Sequence, residues 1–206
     1  MDREKLFDVI KAIAKEIEKN KELLTDLDNA IGDGDHGINM ARGFKAVLEK
    51  LPNLAEKDCG AVLKGVGMAL VSNVGGASGP LYGTFFMKEG DALNGKMEIN
   101  AADFLASFSS AVAGVKMRGK ATEGEKTMLD SLCPAERAME EAVEGGKSLK
   151  EAVSAAADAA RKGSESTKDI IATKGRASYL GERSLGHRDP GAVSSSLILL
   201  AIANTL

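Results

Sequence analysis

The sequence predicts an all-α domain of about eight helices, antiparallel where the links between them are short. Apolar residues recur at spacings of three and four along most of the chain, and no segment alternates with period two for long enough to build a sheet. Serine, asparagine, aspartate or proline stands ahead of several of these runs, where the first free N–H groups of a helix need an acceptor or a missing donor.

Leu6, Val9, Ile10, Ile13 and Ile17 form one face of a first helix capped by Asp2. Asn20-Lys21 interrupts it, and Leu23, Leu24 and Leu27 carry a further turn or two into an aspartate-rich loop. A second helix runs from about His36 through Phe44, Val47 and Leu48 towards Pro52. A third runs from Asp58 with Val62, Val66, Ala69 and Leu70, and Gly60, Gly65 and Gly67 admit a close neighbour. Ser78 or Gly79 caps the next helix, with Pro80 in its first turn and Leu81, Phe85 and Phe86 beyond. Asn100 caps a helix through Phe104, Leu105, Phe108, Val112 and Val115. Pro134 opens another through Ala138, Met139 and Ala142. Ser148-Leu-Lys-Glu151 is a capping box for an alanine-rich helix to about Lys162, with a helical turn or two at residues 167–171. Lys174 to Arg188 reads as a polar, glycine-rich loop, and Asp189-Pro190 caps a last helix with Val193, Leu197, Leu200 and Ala201 inside.

Bulk properties narrow the class. A chain of 206 residues, 44% hydrophobic and 28% charged, suits one soluble globular domain over residues 1–206. The net charge is −3 and no basic patch is interleaved with aromatics, which argues against direct binding of nucleic acid. Cys59 and Cys133 lie in no metal-ligand or CxxC spacing and read as reduced thiols. The charged start from Asp2 to Lys5 is unlike a signal peptide, and the longest apolar run, Leu197 to Ala203, is too short to span a bilayer. A cytoplasmic protein is expected.

The chemistry concentrates in Asp28-Asn-Ala-Ile-Gly-Asp33-Gly-Asp35-His36-Gly-Ile-Asn39. Each pair of carboxylates repels by about 1 to 4 kcal/mol at 4 Å, depending on dielectric. A hard cation removes that penalty and prefers carboxylate oxygen. A helix starting at His36 aims its free N–H groups at the same place, so the combination suits Mg²⁺ and a phosphorylated ligand. The plainer alternative is a solvated Asp/Gly turn that caps the next helix. Gly32-x-Gly34-x-x-Gly37 matches a dinucleotide fingerprint, but no strand precedes it and its aspartates would repel pyrophosphate. An EF-hand fails for want of further oxygen ligands.

Three further glycine-rich breaks stand at Gly75–Pro80, Arg118–Met128 and Gly175–Gly191. In an up-and-down bundle, loops separated by an even number of helices gather at one end. His36, Ser78-Gly79-Pro80 and Asp189-Pro190-Gly191 would then present helix starts to one phosphate platform. Gly124-Glu125-Lys126-Thr127 only approximates a P-loop, since Glu125 intervenes and a helix precedes it. Its basic residues remain candidates to face phosphate, and Met128 to pack on a base. Arg176, Arg183 and Arg188 offer planar forks for phosphate oxygens on a loop able to close. His36 is expected to donate to a phosphate oxygen; Cys133 is expected in the core.

Asp28-x4-Asp33-Gly34-Asp35-His36-Gly37-x-Asn39, Gly76-Ala77-Ser78-Gly79-Pro80, Gly124-Glu125-Lys126-Thr127-Met128-Leu129-Asp130, Gly175-Arg176-Ala177-Ser178-Tyr179 and Asp189-Pro190-Gly191-Ala192 together resemble the nucleotide-binding subunits of dihydroxyacetone kinase, the DhaL family. The blocks run in that family's order from the first helix to the last. The resemblance implies an eight-helix antiparallel up-and-down barrel with a nucleotide site at one end. It implies that Asp28, Asp33 and Asp35 hold two Mg²⁺ ions bridging the phosphates of ADP or ATP. It places His36, Gly37, Ile38, Asn39, Ala77 and Ser78 on the phosphate side, and Gly119 and Met128 at the base. Arg176 belongs to a covering loop, and Asp189, Pro190 and Gly191 close the site.

By the same resemblance the terminal phosphoryl group passes to dihydroxyacetone held on a separate subunit. ADP then stays bound and is rephosphorylated by a phosphoryl-carrying subunit of the phosphoenolpyruvate phosphotransferase system. The length of the chain, that of a stand-alone subunit, favours this type over fused kinases that exchange ADP for ATP. A fatty-acid kinase carries a similar module for another acceptor, and some members bind a transcription factor as a second role.

Overall fold

The computed structural model describes residues Met1–Leu206. Nine α-helices follow in order: α1 (Arg3–Lys19), α2 (Lys21–Ile31), α3 (His36–Lys50), α4 (Cys59–Asn73), α5 (Ser78–Ala92), α6 (Ala101–Gly119), α7 (Leu129–Glu144), α8 (Leu149–Ser166) and α9 (Pro190–Thr205). An isolated bridge between Asp2 and Glu98 is the one β-type pairing. Eight helices close a ring: α1 packs on α3, α3 on α4, and so on through α9, which returns to α1. The ninth, α2, stands outside it against α3 and α9. It exists because the Asn20 amide turns back onto the Glu16 carbonyl and carboxylate, both at 2.8 Å, and ends α1.

The expected caps hold at Asp2, Asn100, Ser148 and Asp189, and Asp58 caps α4 in the same way, each accepting a backbone N–H from its own first turn. Three expectations need correction. Helix α5 begins at Ser78 with Ala77 at its cap position and no side-chain cap. Helix α8 runs on to Ser166. Helix α7 begins at Leu129, and Pro134 lies inside it. The early start has a local cause: Thr127-x-x-Asp130 works as a capping pair, with the Asp130 carboxylate accepting the Thr127 N–H at 2.7 Å and Thr127 Oγ1 accepting from Leu129 N–H at 3.2 Å. The 174–188 stretch carries short 3₁₀ turns over Arg176–Ser184, broken at Gly181 with φ 56°.

Phe44, Phe86, Phe85 and Phe108 run across the ring interior in successive edge-to-face contacts, with centroids 6.2, 5.4 and 5.6 Å apart. Glycines bring walls together where the sequence suggests: a Cβ on Gly60 would lie 2.6 Å from Gly90 O on α5. On α8, a Cβ at Gly163 would lie 2.1 Å from Asp130 O of α7, the carbonyl to which Pro134 has no N–H to return. No helix is long and apolar enough to cross a membrane. Because α3, α5, α7 and α9 start at one end and α2, α4, α6 and α8 finish there, their four connections share that end.

One acid lies inside the ring. Glu89 is buried on α5 beside Phe85, Phe108, Leu132 and Ile198, and borders a cavity of about 10 Å³, no larger than one water. Burial pushes its carboxyl up to about 8, and no hydrogen bond or charge offsets the shift.

Two stability predictions follow from this packing. Gly163→Ala drives a methyl into the Asp130 carbonyl, an overpacking cost of about 1–3 kcal/mol. At about 2–4 °C per kcal/mol for this chain length, calorimetry should record a lower Tm; an unchanged Tm would mean that α7 and α8 tolerate wider spacing. For Glu89, the proton is held more tightly folded than unfolded, so the fold loses up to about 1.4 kcal/mol per pH unit as pH climbs from 4.5 towards about 8. Glu89→Gln should therefore melt above wild type at alkaline pH, with the gap shrinking in acid.

Candidate functional site

The four connections enclose a cavity of about 520 Å³. Asp28, near the end of α2, is buried with 8% exposure, yet its Oδ2 accepts the N–H groups of Asp35 at 2.9 Å and His36 at 3.1 Å. These two bonds anchor Asp28 across the mouth of α3. Gly32 leaves room for the other oxygen, since a Cβ there would lie 2.0 Å from Asp28 Oδ1. Gly34, at φ 75°, reverses the chain between Asp33 and Asp35. As a result, one carboxylate oxygen from each of Asp28, Asp33 and Asp35 lies within 4.8 Å of the others. An all-oxygen set at this spacing, with a glycine where a methyl would intrude, fits a hard divalent cation. Arg176 supplies counter-charge from above, its Nη2 2.8 Å from Asp33 Oδ2.

Around this trio stand the helix starts. Neither α3 nor α5 has a side-chain cap, and the N–H groups of Gly37, Ile38, Ser78 and Gly79 have no partner. The start of α9 differs: Asp189 accepts the Ala192 N–H at 2.6 Å, so this helix caps itself. Burial pushes the Asp189 carboxyl up to about 7, against the pull of Ala192 N–H and Lys126, while Asp130 and Asp28 add to the rise.

A buried polar network fixes the three starts to one another. His36 Nδ1 meets Ser78 Oγ at 3.1 Å and His36 Nε2 meets Ser194 Oγ at 2.8 Å. Ser194 Oγ is 2.7 Å from the Tyr82 hydroxyl, which also reaches Ser195 Oγ at 2.9 Å and donates to Gly191 O at 3.0 Å. Burial holds the imidazole down to about 4 despite Asp28 and Asp35, so it is neutral at physiological pH. A neutral ring has one donor and one acceptor, and both nitrogens are engaged by serines. The ring thus braces Ser78 rather than donating to a phosphate oxygen, as the sequence had suggested.

His36, Ala77, Ser78, Gly119, Met128, Arg176, Asp189, Pro190 and Gly191 line the cavity with the three aspartates. Gly37, Ile38 and Asn39 do not, because the helical period turns them away. Gly37 faces Lys21 O of α2, Ile38 is 52% exposed, and Asn39 Oδ1 accepts from Arg42 at 2.6 Å. Their contribution to a ligand is confined to the free N–H groups of the first turn. Leu81, Val115 and Ala121, which join Met128 as an apolar wall, went unpredicted because such residues are indistinguishable in sequence from core stripes. Lys126 lines the cavity but gives its ammonium to three carbonyls, so it does not face phosphate.

The family model for the DAK2 domain matches residues 30–204. The chain belongs to the DAK2 domain family. It is 47% identical over 182 residues to the ADP-binding subunit DhaL of the PEP-dependent dihydroxyacetone kinase of Escherichia coli (strain K12), covering 88% of this chain and 87% of that one. It is 40% identical over 184 residues to the ADP-binding subunit DhaL of the PTS-dependent dihydroxyacetone kinase of Lactococcus lactis, covering 89% and 88%. Among solved structures, the native dihydroxyacetone kinase of C. freundii superposes with TM-score 0.77 at 25% identity, over 98% of this chain and 34% of the kinase. The same kinase in complex with AMP-PNP and Mg²⁺ gives 0.75 over 96% of this chain. The DAK2 chain thus spans about a third of that longer enzyme.

The geometry predicts opposite effects for two charge changes. Asp28→Asn should weaken Mn²⁺ binding, read by electron paramagnetic resonance, by at least about tenfold. Arg176→Ala should tighten Mn²⁺ in the nucleotide-free protein, because Asp33 loses its competing cation. Equal affinity in all three proteins would place the ion elsewhere.

Proposed function

We propose that this chain is the ADP-binding subunit of a phosphoenolpyruvate-dependent dihydroxyacetone kinase, acting as one nucleotide-binding domain over residues 1–206. It holds ADP or ATP with two Mg²⁺ ions, and the terminal phosphoryl group goes to dihydroxyacetone on a partner subunit. A second partner, a phosphoryl-carrying subunit of the phosphotransferase system, recharges the bound ADP. The observation that carries the reading is the carboxylate trio, its oxygens within 4.8 Å, set beside two uncapped helix starts in one cavity. The relatives named as ADP-binding kinase subunits, aligned over nearly their whole length, support the choice of acceptor and donor. A transcription-factor partner finds no support in them and is not proposed.

Asp28, Asp33 and Asp35 would hold the metal, which supplies charge neutralisation for phosphate oxygens when bound. The chain's own residues do the rest. Asp28 is kept in place by Asp35 and His36 N–H groups, so the carboxylates are set before any ligand arrives. The free N–H groups of Ser78 and Gly79 supply donors that need no reorganisation. His36 holds the Ser78 hydroxyl at the cavity wall. Leu81, Val115, Ala121 and Met128 give an apolar face to a base, and Arg176 stands at the opening with a guanidinium for phosphate. In-line phosphoryl transfer asks little covalent chemistry of the protein, and positioning with charge balance is what these groups provide.

Mass spectrometry of the purified protein, native and then denatured, should release ADP and two magnesium ions per chain. Mixed with a dihydroxyacetone-binding subunit and the phosphotransferase proteins, the chain should produce dihydroxyacetone phosphate from phosphoenolpyruvate, and Asp33→Ala should abolish it. Transfer to an acyl chain but not to dihydroxyacetone would replace this reading with the fatty-acid kinase one.

A further inference from the structure

Lys126 is a buried cation that the functional reading leaves without a role. It has 1% exposure and lies in the left-handed region at φ 62°, where a non-glycine residue persists only if its surroundings hold it there. They do. The Asp130 carboxylate accepts the Gly124 N–H at 2.5 Å and the Thr127 N–H at 2.7 Å, and Glu125 Oε2 accepts the Thr122 N–H at 2.7 Å. The backbone is therefore fixed on both sides of Lys126, and its side chain points inward.

There Nζ donates to Thr167 O at 2.6 Å, Ile170 O at 3.1 Å and His187 O at 2.5 Å. An ammonium has three N–H donors, and all three are engaged. Two of these carbonyls stand at the start of the 168–187 segment and one at its end. The same base is closed by Gly186 N–H on Lys168 O at 2.8 Å and Asp189 N–H on Thr167 Oγ1 at 2.9 Å. Away from the base, the segment meets the body of the protein through Thr173, whose N–H donates to Glu125 O at 3.3 Å beside Lys126, through the Arg176–Asp33 ion pair, and through Ala172 and Ala177, which cluster with Ile31. Its outer part is open to solvent, with Tyr179 at 88% exposure.

We infer that Lys126 is a positioning residue for the nucleotide site: its ammonium pins both ends of the 168–187 segment, so that the segment closes over bound nucleotide as a flap on a fixed base with Arg176 on its inner edge. The inference rests on the nucleotide-binding role proposed above. It gives Lys126 no contact with ligand, since no proton of its ammonium remains to offer. Release of nucleotide is then governed jointly by the pin at the base and by Arg176 at the inner edge.

A double-mutant cycle tests this, with release of a fluorescent ADP analogue in Mg²⁺ followed by stopped flow for the wild type, Lys126→Met, Arg176→Ala and the double variant. Lys126→Met is expected to speed release at least about tenfold, and adding Arg176→Ala to change it by less than about twofold, because the flap is already uncoupled. A Lys126→Met protein with a lower Tm but wild-type release, or rate effects that multiply, would overturn the inference and leave Lys126 a stabilising residue only. Hydrogen exchange on the wild-type chain gives a second test that needs no variant to fold. The Gly186 and Asp189 amides should stay protected with and without ADP and Mg²⁺, while amides of residues 176–181 gain protection on binding. Unprotected base amides in the free protein would equally overturn the inference. If the wild-type chain does not bind the analogue, the functional reading fails, which is a different result from binding that is indifferent to Lys126.

Discussion

Asp28, Asp33 and Asp35 repel one another, and the cavity end of the ring is arranged around that repulsion. Backbone N–H groups of Asp35 and His36 hold Asp28 from below, and Arg176 meets Asp33 from above. Gly32 and Gly34 exist as glycines because a methyl at either place would lie about 2 Å from a neighbouring side-chain oxygen. The trio is poised short of neutrality: one guanidinium faces three acids. That imbalance is why a divalent cation, and through it an anionic ligand, is favoured at this spot.

The second constraint is shared between stability and site. His36, Ser78, Ser194, Tyr82 and Ser195 form a continuous chain of polar contacts at the cavity end of the ring. Each member is satisfied, so the network adds rigidity without an orphaned donor. Because it joins the starts of α3, α5 and α9, the positions of the two uncapped helix starts are set by the same bonds that hold the ring together. Glu89 is the contrast, an acid lower in the ring that no hydrogen bond or counter-charge meets and that burial keeps protonated at neutral pH.

Local signals were legible in the sequence and non-local ones were not. Asp2, Asn100, Ser148 and Asp189 announce helix starts because a cap involves residues three apart. The start of α7 was hidden for the converse reason: Pro134 is the stronger textual sign, while the Thr127–Asp130 pair that does the capping lies inside a glycine-rich break. The aspartate trio could be read because its members are seven positions or fewer apart. The apolar wall could not, since Leu81, Val115 and Met128 meet only when the ring closes. Lys126 looked like a phosphate ligand beside glycines, and only the tertiary structure reveals the three carbonyls that claim it.

Closure of the ring by α1 on α9 has a consequence for architecture. Helix α9 leaves the cavity at Asp189 and runs 16 residues away from it, while Met1 is tied to Ile99 O ahead of α6, whose far end is at the cavity. Both chain ends therefore emerge on the floor of the ring, side by side and about 24 Å from the mouth by helix rise. A tether joined to either end can lead to another protein module without crossing the opening, which suits a unit found both alone and as a third of a longer enzyme.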